Sequence, residues 1–125
     1  MQNAINITNV DIIQQTNIES NMDILARFKN GENIAPILKN ASIDELKLVA
    51  QGIRDRILEV VSKNGGHLSS TLGAVELILG MHAVFDCKIS PFIYDVSHQA
   101  YAHKLLTGRY KEFNTLRQWM ESAAL

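Results

Sequence analysis

The segment from Leu72 to Phe85, LGAVELILGMHAVF, constrains the fold most. Its 14 residues contain only two ionisable side chains, Glu76 and His82. A helix apolar on nearly every side must be covered on most of its surface. The run is too short and too polar to span a bilayer, so the cover has to be protein. A chain of 125 residues can build one small core, and the rest of the sequence must supply layers that pack around this helix.

The segment before it is the clearest secondary-structure signal. Ser42 and Glu45, three residues apart, form a capping-box pattern. Ile43, Leu46, Ala50, Ile53, Ile57 and Val60 then recur at spacings of three and four, with Asp44, Lys47, Gln51, Arg54, Asp55 and Glu59 on the opposite face. Gly65 is a natural stop for this amphipathic helix. The apolar helix begins near Ser70 or Thr71, and DCKISP (86–91) reads as a turn. FIYDV (92–96), behind Pro91, reads as a short buried strand of a parallel sheet. HQAYAHKLLTG follows as a third helix ending at Gly108, and the remainder is helical in part. Residues 1–35 are rich in Asn, Gln and Ile without a sustained period, with helical pieces near Asp23–Phe28 and a turn at KNGEN (29–33). They are read as an N-terminal extension and a candidate mobile segment.

The order helix, helix, strand, helix is the opening of an α/β layer arrangement. A lone strand makes no sheet, so further strands are expected from elsewhere. Net charge is −1, with 12 basic and 13 acidic side chains, which disfavours nucleic acid or an anionic membrane as the main partner. The single cysteine, Cys87, excludes an internal disulfide and suits a reducing, cytoplasmic compartment. No basic, apolar secretory leader opens the sequence.

Two places put histidine where a ligand can approach. His98 lies where the predicted strand hands over to a helix, behind Ser97, a candidate N-cap; there an imidazole can contact phosphate or move a proton near neutral pH. It can equally be a helix cap or pack beneath a loop. His67 follows Gly65-Gly66 and precedes Ser69 and Ser70. The bare backbone admits a ligand, but Gly-Gly also simply ends a helix and Ser-Ser begins one. The residues alone leave both alternatives open. His82, inside the apolar helix, reads as a core histidine. His103 falls on the third helix beside Lys104, which reads as solvated. Glu76 needs a partner for its charge, within the chain or across a subunit contact. No metal-ligand spacing is present.

SKNGGHLSSTLGAVELILGMHAVFD, FIYDVSHQAYAHKLLTGR and FNTLRQ, in this order and spacing, resemble the N-terminal part of the 1-deoxy-D-xylulose-5-phosphate synthases, transketolase-like enzymes that use thiamine diphosphate. The resemblance implies that residues 36–118 open a thiamine-diphosphate-binding domain of α/β class, mostly helical with one short strand here. It implies condensation of pyruvate with glyceraldehyde 3-phosphate to 1-deoxy-D-xylulose 5-phosphate and carbon dioxide. That product is a precursor for isoprenoid, thiamine and pyridoxal phosphate synthesis. Thiamine diphosphate and magnesium are the implied cofactors, in a cytoplasmic homodimer. By motif position His98 stands for the histidine that contacts thiamine diphosphate, and His67 for the active-site histidine on the substrate side. Ser97 occupies a place where many members carry Gly. After TLRQ the family continues through a Gly-rich segment, whereas here 119–125 diverge. The magnesium ligands and the glutamate that activates the aminopyrimidine fall beyond that point. The chain is therefore expected to be a fragment without synthase activity alone, through a frame change or a premature stop. The alternative is a non-catalytic module or remnant that docks onto a partner chain. Exposed apolar surface is expected in either case.

Overall fold

In the computed structural model, which describes residues 8–118, Ser42 and Glu45 close the capping box that the sequence predicts. The Ser42 hydroxyl accepts from the Glu45 N–H at 3.1 Å, and the Glu45 carboxylate accepts from the Ser42 N–H at 3.0 Å. Helix α2 runs from Ile43 to Asn64 and stops at Gly65, whose φ of 80° favours glycine. It buries Val49, Ala50, Ile53, Ile57, Val60 and Val61, the predicted face, but leaves Ile43 66% exposed at its first turn. Full burial of one such aliphatic side chain is worth roughly 1.5–3 kcal/mol, so this one face dominates the stability of α2.

Helix α1 spans Asn9–Lys29, far more than the short pieces expected near residue 23. Only Ile24 and Phe28 are buried on it, so no apolar period marks its outer turns. A legible signal did exist. Thr8 and Asp11 form a second reciprocal capping box, with contacts of 3.1 Å each way. Phe28 crosses α2 at Gly52, where a Cβ would lie 3.1 Å from both the Phe28 ring and a Leu25 methyl. KNGEN turns as expected, with Gly31 at φ 85°, and Ala35–Asn40 forms a 3-10 helix.

The apolar run divides into α3 (Ser69–Gly73) and α4 (Val75–Val84), broken at Ala74. Its inner face buries Val75, Ile78, Leu79 and His82. Its outer face leaves Leu77, Val84 and Phe85 open. Glu76 is exposed and pairs with Arg54 of α2, so its charge is met within the chain.

The predicted strand at 92–96 does not form, and among the described residues there is no strand at all. Among the described residues the only pairing is an isolated antiparallel bridge between Asn33 and Thr107. A parallel strand needs neighbours to take its N–H and C=O groups. None is at hand here, and Ile93 stands 95% exposed. The described chain is thus mostly helical. A 3-10 turn, Ser97–Ala100, leads directly into α5 (Tyr101–Leu106), and Gly108 follows at φ 97°. Ser97 lies inside that turn and is not its cap; the Gln99 side chain instead accepts from the Val96 N–H at 3.2 Å. Lys104, read as solvated, is only 3% exposed. A last 3-10 turn covers Glu112–Thr115.

All these elements share one core around Phe28, Ile53, Ile57, Leu105, Leu106 and Phe113. Among the described residues no helix is long and apolar enough to cross a membrane. The divergent segment 119–125 lies outside the described residues.

Candidate functional site

The end of α2 sets one wall of the site. Gly65 and Gly66 take φ values of 80° and 141°, which lets the chain reverse within two residues and present His67 at the surface. Thr71, nearly fully buried on α3, donates its hydroxyl to the His67 carbonyl at 2.7 Å and fixes that turn. The same hydroxyl lies 3.5 Å from the His98 carbonyl, so one buried side chain touches both histidine backbones.

The 3-10 turn at 97–100 supplies the opposite wall. His98 Nε2 lies 3.0 Å from Ser70 Oγ, across 28 residues of sequence. The His67 and His98 rings are 4.6 Å apart between centroids and tilted by 33°. Both sequence-predicted histidines therefore meet in one cleft of about 350 Å³, completed by Val96, Ser97, Tyr101, Leu116 and Arg117. The expectation of a strand end in this wall is corrected: an irregular segment and a 3-10 turn stand there instead.

Electrostatics follow from this crowding. Partial burial, reinforced by the neighbouring His67, holds the His98 imidazole below its ordinary value. His98 is thus favoured as a neutral ring near pH 7, able to donate from one nitrogen and accept at the other. Tyr101 lies beneath the cleft, edge-on to Phe113 at 5.5 Å between centroids. Burial raises its phenol, while Arg117 acts in the opposite direction.

Arg117 is the site residue that sequence patterning missed. It takes φ 65°, the sole positive φ among described non-glycine residues. Its side chain passes over Gly66, where a Cβ would sit 3.5 Å from Arg117 Cδ. A non-glycine residue held in this region costs about 1 kcal/mol, and such outliers gather at functional sites. Asn64 supports it from α2, donating to the carbonyls of Asn114 and Leu116 at 2.8 and 2.9 Å. No local pattern in TLRQ announces this backbone angle.

The donor set has a definite chemical character. Among the described residues, imidazoles, serine hydroxyls, a guanidinium and a bare Gly-Gly backbone converge, and no carboxylate lines the cleft. That is a set for an oxyanion such as phosphate or diphosphate. Among the described residues, no three His, Cys, Asp or Glu side chains converge as metal ligands. A second groove, walled by Ile43, Leu46, Ala50 and Leu79, is mainly apolar and carries Lys47 and the Arg54–Glu76 ion pair at its edge. It offers no nucleophile or general base.

Comparison with known proteins agrees on one family. The family model for 1-deoxy-D-xylulose-5-phosphate synthase matches residues 30–122. The protein of that name from Wolinella succinogenes is 73% identical over 82 residues, 66% of this chain and 13% of the relative. That from Nitratiruptor sp. is 71% identical over 82 residues, 66% of this chain and 14% of the relative. That from Helicobacter hepaticus is 62% identical over 97 residues, 78% of this chain and 15% of the relative. The chain thus spans between an eighth and a sixth of the length of these relatives. No solved structure matches it.

Proposed function

The chain belongs to the 1-deoxy-D-xylulose-5-phosphate synthase family, whose N-terminal part it matches, and from that premise we propose that His67 and His98 are working residues of a thiamine-diphosphate site. The whole reaction in this reading joins pyruvate to glyceraldehyde 3-phosphate with loss of carbon dioxide, in a cytoplasmic homodimer. Residues 36–118 open the cofactor-binding domain, and residues 1–35 precede it. When bound, thiamine diphosphate supplies the carbon nucleophile that this decarboxylation requires.

The chain's own residues do the placing. His98 offers a ring N–H to an oxyanion, and Ser70 at 3.0 Å fixes the orientation of the ring. Arg117 adds a permanent positive charge at the same cleft. His67, exposed on the substrate side, offers its ring nitrogens to the substrate as donor or acceptor. Magnesium is not assigned to these residues, because among the described residues no carboxylate reaches the cleft. An uncompensated diphosphate is held weakly, so the 125-residue chain alone is expected to turn over nothing.

The observation that carries this reading is the 4.6 Å meeting of the two rings. The test is a chimera in which residues 36–118 replace their counterpart in the Wolinella succinogenes relative. Turnover of pyruvate and glyceraldehyde 3-phosphate is expected, with His67→Ala and His98→Ala each lowering kcat/KM by about a hundredfold or more. Chimeras carrying either alanine that match the parent chimera would sink the assignment.

A second reading, a non-catalytic module that docks onto a partner chain, draws on a separate observation: Leu77, Val84, Phe85 and Ile93 are all exposed. Unchanged turnover in both alanine chimeras favours it.

A further inference from the structure

A second pair of histidines lies away from the cleft and takes no part in the chemistry above. His82 Nε2 and His103 Nδ1 are 2.8 Å apart, with ring centroids at 4.9 Å and an interplanar angle of 20°. His82 is 2% exposed. Phe92 packs edge-on against His82 at 4.8 Å, and Tyr94 covers His103 at 5.6 Å.

The placement of this pair matters more than its burial. His82 is on α4, which continues from α3 through a single break at Ala74, and α3 carries Ser70. His103 is on α5, which continues directly from the 3-10 turn carrying His98. The same two stretches of chain are therefore tied twice, by Ser70–His98 at one end and by His82–His103 at the other. The bond between two imidazoles needs one N–H and one lone pair. A single added proton preserves it, whereas a proton on each ring turns two N–H groups toward each other and breaks it.

We propose that His82 and His103 are a positioning pair whose shared hydrogen bond holds α4 against α5, keeps Ser70 in register with His98, and is released by acid. This concerns the geometry of the cleft and stands separately from the synthase reading. The surrounding charges oppose protonation from most sides. After α5, Arg109 acts on His103 directly, while the buried Lys104 on α5 is acted on by Arg109 and, in the opposite sense, by Glu112. The turn after α4 brings Asp86, Cys87 and Lys88, and the 3-10 helix at 35–40 brings Lys39, to a cavity that His82 also lines. Asp86 is the one carboxylate there. The Tyr94 hydroxyl is buried without a hydrogen-bond partner and contributes no charge. Burial, then His103, pushes the His82 ring down to about 4, and burial, then Arg109, lowers His103.

The test uses the full 125-residue chain. Imidazole signals of all four histidines and amide hydrogen exchange over 69–73 and 97–101 are followed from about pH 7 to about pH 3. Exchange, corrected for its intrinsic rate, is expected to speed up about tenfold or more, with a midpoint that follows the second protonation of the His82–His103 pair. A His82→Phe/His103→Phe double variant keeps the ring stack and removes both titrations; its exchange is expected to change less than about twofold. The proposal is overturned if that variant keeps the full acceleration. It is equally overturned if both rings take up a proton without any change in exchange. Should the double variant fail to fold, the natural chain decides alone: a midpoint that follows His98, and not His82 and His103, overturns the proposal.

Discussion

Ser70 Oγ stands 3.0 Å from His98 Nε2 and so fixes an imidazole that its own short helix could not hold. The two belong to separate segments, and the α3 N-terminus gains a function from a residue met 28 positions later. Ser70→Ala removes that contact while leaving the His67 turn, held by Thr71, intact. Because both partners are partly exposed, the cost in stability is expected to stay under about 1 kcal/mol. The His98 Nε2 shift should move when the hydroxyl is lost; an unchanged Nε2 shift would count against the bond.

His67→Ala should move the titration of His98 upward. Burial is the larger cause of its lowered value and remains; the charge of His67 is the second cause and is removed. The carbon shift of the His98 ring, followed against pH, measures this directly. A downward move contradicts the described packing.

Stability should fall with acid across a defined window. His82 is held at about 4 in the folded chain against 6.5 when free, so the unfolded chain binds the proton first as pH drops. The stabilisation is complete above about pH 6.5 and lost progressively down to about pH 4, amounting to about 3 kcal/mol. His98 and His103, also lowered, add in the same direction. Urea unfolding at several pH values reads the slope, and a stability that rises over this window would refute the sign.

Gly66→Ala places a Cβ at a φ of 141°, a region that side chains rarely adopt, and 3.5 Å from Arg117 Cδ. A loss of about 1–2 kcal/mol is expected, together with movement of Arg117. The Tyr101 phenol, on which Arg117 acts, is the reporter: its titration should shift upward when the guanidinium is displaced. A fully tolerated alanine would show that this backbone is not strained.

Gly52→Ala sets two effects against each other. Alanine favours the α2 helix by about 1 kcal/mol. Its Cβ, however, meets Phe28 and Leu25 at 3.1 Å, and Phe28 is fully buried and braced edge-on by Tyr110 at 5.1 Å. With Phe28 unable to retreat, crowding should win and leave a net loss of about 1 kcal/mol. A rise in thermal midpoint would mean that α1 moves aside.

The parts of this molecule that local chemistry specifies are the parts its sequence displays. Ser42, Glu45 and the three-and-four spacing through Val60 lead straight to α2, because each contact lies within a turn or two. Gly65 and His67 could be marked for the same reason. The 92–96 segment misled because a run of apolar residues carries strand propensity without stating whether a partner strand exists. Helix α1 was hidden because just Ile24 and Phe28 reach the core, and its start rests on Thr8 and Asp11 alone. Arg117 and the His82–His103 bond were beyond reach, since each depends on segments brought together only by the finished packing.

The Asn64 side-chain amide, shared between the carbonyls of Asn114 and Leu116, gives the cleft a place in time as well as in space. One wall is made early in synthesis, and its counterpart, 50 and 52 positions further along the chain, is joined to it. Closing so long a loop is slow and must wait for the later residues to leave the ribosome. The ligand-facing geometry is thus a late product of folding, and a helical chain that has acquired most of its secondary structure can still lack a competent cleft.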